Sequence, residues 1–293
     1  MRLTLVFIII SQSIIYSQNI SNKALLEYED TISQIAFQVM NAKTEDERYR
    51  ASNGMMQELK EVLKYPASYT YPFTKLETLS ILSPEDKSFR LFNWILKKEN
   101  GEYLYFAIII KPPKKNNKFN TLVILNDRSN SIKNPEKTIL NQNNWYGALY
   151  YEIIPMKGKN NKNYTLLGWD GNNNSTTKKI IEIINISENE IKFGKEIFHK
   201  NKEQLARVIL EYDNNTSISL KYDIKKKRII FNHLVSINNK KQDINIFSIP
   251  DGTYDCYNLK NNIWKFESDI DIRMEKITTK KVKNRNEKGL FKR

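Results

Sequence analysis

Cysteine is nearly absent from this chain. Cys256 is the only one, which excludes a disulfide framework and every multi-cysteine zinc or iron–sulfur site. Histidine is almost as scarce: His199 and His233 leave little room for a metal centre built from imidazoles. Nine glycines and eight prolines in 293 residues are too few for a collagen-like or low-complexity chain. No Gly-x-Ser-x-Gly, His-Glu-x-x-His or glycine-rich phosphate loop occurs, so the common nucleophile, zinc-hydrolase and nucleotide signatures are missing. No apolar run reaches the roughly 20 residues that a spanning helix needs. Acid is the minority charge, 33 Asp and Glu against 47 Lys and Arg, for a net +14. What is abundant is apolar and aromatic matter, 40% and 11% of the chain, and that suffices for a sizeable core.

The first residues read as an address. Arg2 precedes the apolar stretch Leu3–Ile10, Ser11-Gln12-Ser13 interrupts it, and Ser17 offers a small residue before a cut. This is the order of a secretory signal peptide over residues 1–17, with Gln18 as the expected mature start. No cysteine lies near the cut, so the expectation is an exported, soluble protein, periplasmic or secreted and not a lipoprotein. In an oxidising compartment a lone Cys256 has no internal partner, and its expected role is that of a small buried hydrophobe.

Two periodicities follow. Over residues 18–73, Leu25, Leu26, Ile32, Ile35 and Val39 recur at helical spacing until Asn41-Ala42-Lys43. Thr44-Glu45-Asp46-Glu47 then predicts a capping box, and Ala51, Met55, Leu59 and Val62 share the next helix face. Asn53-Gly54 in its middle is a candidate kink. From residue 74 to 278 the period becomes two, with some thirteen short strands separated by polar turns. The expected fold is therefore mainly β: a large antiparallel meander, curled or two-layer, preceded by an amphipathic helical hairpin. No 40–50-residue repeat supports a propeller. Residues 279–293 read as a basic disordered tail, with seven cations and one acid, Glu287, over Lys280–Arg293.

Several segments of the β region, among them Trp145–Tyr151, Tyr164–Asn172, Ala206–Tyr212, Phe231–Leu234 and Ile249–Tyr257, resemble a family of secreted proteins of Bacteroidota with no assigned activity. That resemblance covers roughly Phe89–Phe266 and implies an exported β protein. In the family pattern an Asp precedes the His, whereas Asn232 precedes His233 here; the departure weakens an Asp–His acid–base pair. No catalytic residue carries over.

The remaining candidates have structural readings beside them. Asp170-Gly171-Asn172-Asn173-Asn174 alternates oxygen ligands as a calcium loop does, but Ser175 and Ile181 stand where the bend glycine and bidentate Glu belong, which favours a two-residue Asp-Gly hairpin turn. Pro250-Asp251-Gly252 reads as a turn between strands, and Asp251 with Asp255 would be a carboxylate pair only if folding set them about 5–9.5 Å apart. No motif activates Cys256, and His233 in its apolar strand is expected to donate to a backbone carbonyl. The strand aromatics, Trp94, Tyr103, Tyr105, Trp145, Tyr146, Tyr150, Tyr151, Trp169, Tyr254, Tyr257 and Trp264, are expected mainly in the core, with sugar or partner contact as the alternative. The sequence thus names no catalytic, cofactor-binding or metal residue and no cofactor. It points to a non-catalytic exported protein, binding or envelope-associated, against the alternative of an envelope hydrolase whose site is assembled from distant residues. A signal sequence removes the chain from nucleic acid; the partners left are anionic envelope components, met through the basic tail.

Overall fold

The computed structural model describes residues 20–272 apart from 116, 157, 159–161, 189 and 238–246. Residues 1–17 and 279–293, expected from the sequence to be a signal peptide and a basic tail, lie outside the described residues.

Helix α1 (Asn22–Asn41) starts at Ser21, whose hydroxyl accepts the Ala24 N–H at 3.1 Å. Helix α2 (Glu45–Leu63) opens on the expected capping box: Glu47 N–H donates to Thr44 Oγ1 at 3.2 Å, and Thr44 N–H to Glu47 Oε2 at 3.1 Å. It runs through Gly54 unbroken, with ordinary backbone there and open space where a side chain would stand. A 3-10 turn at Pro66–Tyr69 ends the helical part.

Sixteen strands follow among the described residues. The first sheet holds β1 (Ser80–Leu82), β2 (Arg90–Lys97), β3 (Tyr103–Lys111) and β4 (Thr121–Leu125) in sequence order. The second is built from β5 (Leu140–Asn141), β6 (Leu149–Pro155), β7 (Asn163–Asp170), β8 (Thr176–Ile186) and β9 (Ile191–Phe193) in the order β5-β9-β8-β7-β6. Then come β10 (Phe198–Lys200), β11 (Glu203–Leu205) and β12 (Arg207–Asp213), the last pairing with β8 beside the stretch that β9 leaves free. The third sheet is completed by β13 (Leu220–Asp223), β14 (Arg228–Ile237), β15 (Phe247–Lys260) and β16 (Ile263–Glu267), ordered β11-β10-β16-β15-β14-β13. All pairs within the sheets are antiparallel except β10 with β16.

The layers stack helices, first sheet, second sheet, third sheet. Leu25, Ile32, Met55 and Leu59 pack on Phe92, Trp94, Ile108 and Ile110 of one face of the first sheet. Its other face, with Leu91, Tyr105, Ala107 and Ile109, meets Tyr150, Leu166, Ile180 and Ile184. The far face of the second sheet, Leu167, Ile181 and Ile183, meets Phe231, Tyr257 and Trp264 of the third. Two of the three sheets are therefore covered on both faces, which is why Phe106–Ile110 and Ile180–Ile184 read as near-continuous apolar runs instead of clean alternation. No helix of the described residues is long and apolar enough to cross a membrane.

Candidate functional site

Where the first and second sheets part at one end, three strands present a charged row. Lys178 on β8 lies opposite Asp170 on β7 and opposite Glu211 on β12. Asp170 is an inward position of its strand, so its carboxylate is carried into the gap between the sheets. There Oδ1 accepts the Tyr105 hydroxyl at 2.6 Å and the Asn172 N–H at 2.7 Å, while the Tyr146 hydroxyl stands 3.4 Å from Oδ2. Lys178 Nζ donates to Asn172 Oδ1 at 2.9 Å and lies 3.9 Å from Asp170 Oδ2. Burial pushes the Asp170 carboxyl above its ordinary value, against the lowering effects of the Tyr105 hydroxyl and the Lys178 charge. Burial, then the Asp170 charge, raises the Tyr105 and Tyr146 phenols well above theirs.

The cleft over this row is about 560 Å³, walled by Glu102–Tyr105, by Asp127–Ser131 and by the β7–β8 connection. A second pocket of about 500 Å³, with Glu136, Lys137, Ile209 and Glu211 in its wall, shares Tyr146 and Lys178 with it. The two adjoin at Tyr146 and Lys178 and are together called the groove. Asp127 shapes the opposite wall. Its Oδ1 accepts Ser129 N–H at 3.0 Å and Ser129 Oγ–H at 2.6 Å, and Ser129 Oγ in turn accepts the Gly147 N–H at 2.8 Å. Gly147 is required here, because a Cβ would stand 2.6 Å from both Asp127 Cγ and Tyr105 Cδ2.

Beneath the groove lies a fully buried ion pair. Arg207 donates from Nε to Glu182 Oε2 at 2.7 Å, and its Nη2 sits 2.6 Å from the same oxygen without hydrogen-bond alignment. Glu182 also accepts the Tyr150 hydroxyl, and that hydroxyl accepts Trp145 Nε1–H at 2.8 Å. The guanidinium stacks over Tyr146 with its carbon 5.5 Å from the ring centre. A buried charge thereby fixes an aromatic wall of the groove.

The sequence candidates fall in different places. The Asp170-Gly171 pair is not a two-residue turn: Asp170 is still paired in β7, and the connection spans 171–175 with its positive φ, 49°, at Asn172. Gly171 is there for room, since a Cβ would stand 2.3 Å from the Tyr103 ring. Of the proposed calcium oxygens, Asp170 turns inward to the tyrosines, and Asn173 caps the N–H groups of Ser175 and Thr176 at 2.8 and 3.0 Å. Pro250-Asp251-Gly252 is a bulge inside β15 rather than a turn between strands, because both halves of β15 pair with β14 on either side of His233. Asp251 and Asp255 both act on His233 through their charge, but they are held differently. Asp251 caps Thr253, whereas Asp255, buried, accepts the Asp269 N–H at 3.1 Å and lies 2.9 Å from His233 Nδ1. His233 therefore meets a carboxylate, not the expected backbone carbonyl. The partner comes from the adjacent strand, where the residue before His233 had no bearing on it. Hydrogen bonding to Asp255 raises the imidazole above its ordinary value.

Cys256 is buried, and burial pushes its thiol up, the opposite of nucleophile activation. Trp94, Tyr105, Trp145, Tyr146, Tyr150, Tyr257 and Trp264 are core residues. His199 lies on β10 opposite Lys265. Asp127, Lys178, Glu182, Arg207 and Glu211 were not singled out from the sequence, although Glu182 inside Ile180-Ile181-Glu182-Ile183-Ile184 marks a charge that must find a partner. Among the described residues no group of three His, Cys, Asp or Glu could hold a metal ion. Compared with known families, curated proteins and solved structures, the chain matches none.

Proposed function

We propose that the chain is an exported, envelope-associated binding protein, and that the groove at Asp170, Lys178 and Tyr146 holds a neutral, hydroxyl-rich ligand, a short saccharide. The leader at 1–17 supports export, and the basic tail at 279–293 supports contact with anionic envelope components. The groove carries the binding reading. Its lining sets the carboxylates of Asp127 and Asp170, the carboxamide of Asn172, the Ser129 hydroxyl and the cations Arg128 and Lys178 in one place, a mix of donors and acceptors that suits vicinal hydroxyls. Asp170 and Asp127 each spend acceptor capacity on fixed protein donors, an arrangement suited to holding an orientation. One observation favours the hydrolase alternative, the raised carboxyl of Asp170 at the floor of the cleft, since a protonated acid can serve a leaving group.

The test is calorimetric titration of the full chain with a panel of neutral di- and trisaccharides, each mixture analysed afterwards for cleavage. A bound saccharide recovered intact, with affinity lowered at least about tenfold by Lys178→Met or Arg128→Ala, is the expected result. Shortened products would establish the hydrolase, and binding indifferent to both substitutions would remove the groove from the account.

A further inference from the structure

A separate surface lies at one end of the third sheet. The β13–β14 hairpin closes through Ile224, Lys225, Lys226 and Lys227, all exposed, and Ile224 at 70% is the most exposed large hydrophobic of the described residues. Lys227 O accepts the Leu259 N–H at 3.0 Å, so the neighbouring β15–β16 turn, Lys260-Asn261-Asn262, stands beside this tip. Within 223–228 and 260–262 there are five cations, Lys225, Lys226, Lys227, Arg228 and Lys260, against the single carboxylate Asp223. That carboxylate is already committed. It accepts the N–H groups of Lys225 and Lys226 at 3.1 and 3.2 Å and pairs with Arg228 at 3.3 Å. Asp223 therefore shapes the turn and holds Arg228, which is half-buried, while the side chains of Lys225, Lys226 and Lys227 are exposed.

Ile224 stands at the apex of this hairpin among lysines and outside the apolar clusters of the described residues. We infer that this tip docks on a bilayer surface rich in anionic phospholipid, with Ile224 entering the interface and Lys225, Lys226, Lys227 and Lys260 meeting headgroup phosphates. Charge complementarity selects the anionic lipid, and the apolar apex selects a membrane over a dissolved anion. The inference does not depend on what the groove holds.

The experiment is co-sedimentation of the full chain with vesicles of phosphatidylcholine alone or with an equal part of phosphatidylglycerol. The wild type is expected to bind only the latter. Each lysine near such a surface is worth roughly fivefold in affinity, so Lys225→Ser, Lys226→Ser and Lys227→Asn together should weaken binding about a hundredfold at low salt; Asn suits the positive φ, 52°, at Lys227. Ile224→Ser should weaken it about tenfold, with that loss persisting at high salt, where the lysine contribution is screened. Unchanged unfolding midpoints would confirm that the variants fold. Equal binding to both vesicle types, or tip variants that bind like the wild type because the tail alone carries the attraction, would overturn the inference.

Discussion

Glu182 and Arg207 show how much a single buried charge organises here. Each is fully excluded from water, a placement that costs several kcal/mol per ion unless the partner and further hydrogen bonds are in place. Tyr150 and Arg207 supply them for Glu182. Replacing Glu182 by Ala leaves a guanidinium buried without its counter-charge, and chemical denaturation should show a loss of about 3–5 kcal/mol. Gly147→Ala should cost about 1–3 kcal/mol by overpacking against Asp127 and Tyr105, and should weaken ligand binding in parallel, because those two side chains wall the cleft. His233 is a milder case. Its folded value lies above the ordinary 6.5, held up by Asp255, so the pair stabilises fully below pH 6.5 and fades as pH rises through the higher folded value. Replacing His233 by Ala should therefore lower the unfolding free energy at pH 5 and much less at pH 9, by no more than about 1 kcal/mol for a ring this accessible to solvent.

At the scale of elements, the helices and most strands were legible because their signals are local. The capping box at Thr44 and Glu47 is contained in four consecutive residues, and β3 and β16 begin and end where alternation and turn residues place them. The expected kink was not there. Asn53-Gly54 sits in a continuous helix with open space beside the glycine, so Gly54→Ala should stabilise the protein by about 0.5–1 kcal/mol through backbone entropy alone, read as a higher denaturation midpoint. Other boundaries were set by distant partners. Strand-like patterning runs unbroken through Glu190–Phe198 and through Gln204–Tyr212, yet each divides where the chain leaves one sheet for another, the first at Gly194 with φ of 89°. Likewise Pro250-Asp251-Gly252 carries turn chemistry, but pairing with β14 on both sides keeps it within one strand.

The whole molecule is a stack of four layers, and its candidate site exists only because of that stacking. Tyr105 comes from the first sheet, Asp170, Lys178 and Glu211 from three strands of the second, and Tyr146 from the connection between β5 and β6. The antiparallel architecture and the helical hairpin could be read from periodicity. Alternation could not say which sheet faces which, so a groove made of residues up to 109 positions apart, Glu102 and Glu211, carried no linear signature. Amide hydrogen exchange of the full chain, with and without the tightest-binding neutral saccharide, reads this groove most directly. Ligand-dependent protection is expected in Asp127–Ser131 and in Gly171–Lys178, with α1 and α2 unchanged. Protection centred on the helices or on the third sheet, with those two segments exchanging as in the free chain, would contradict it.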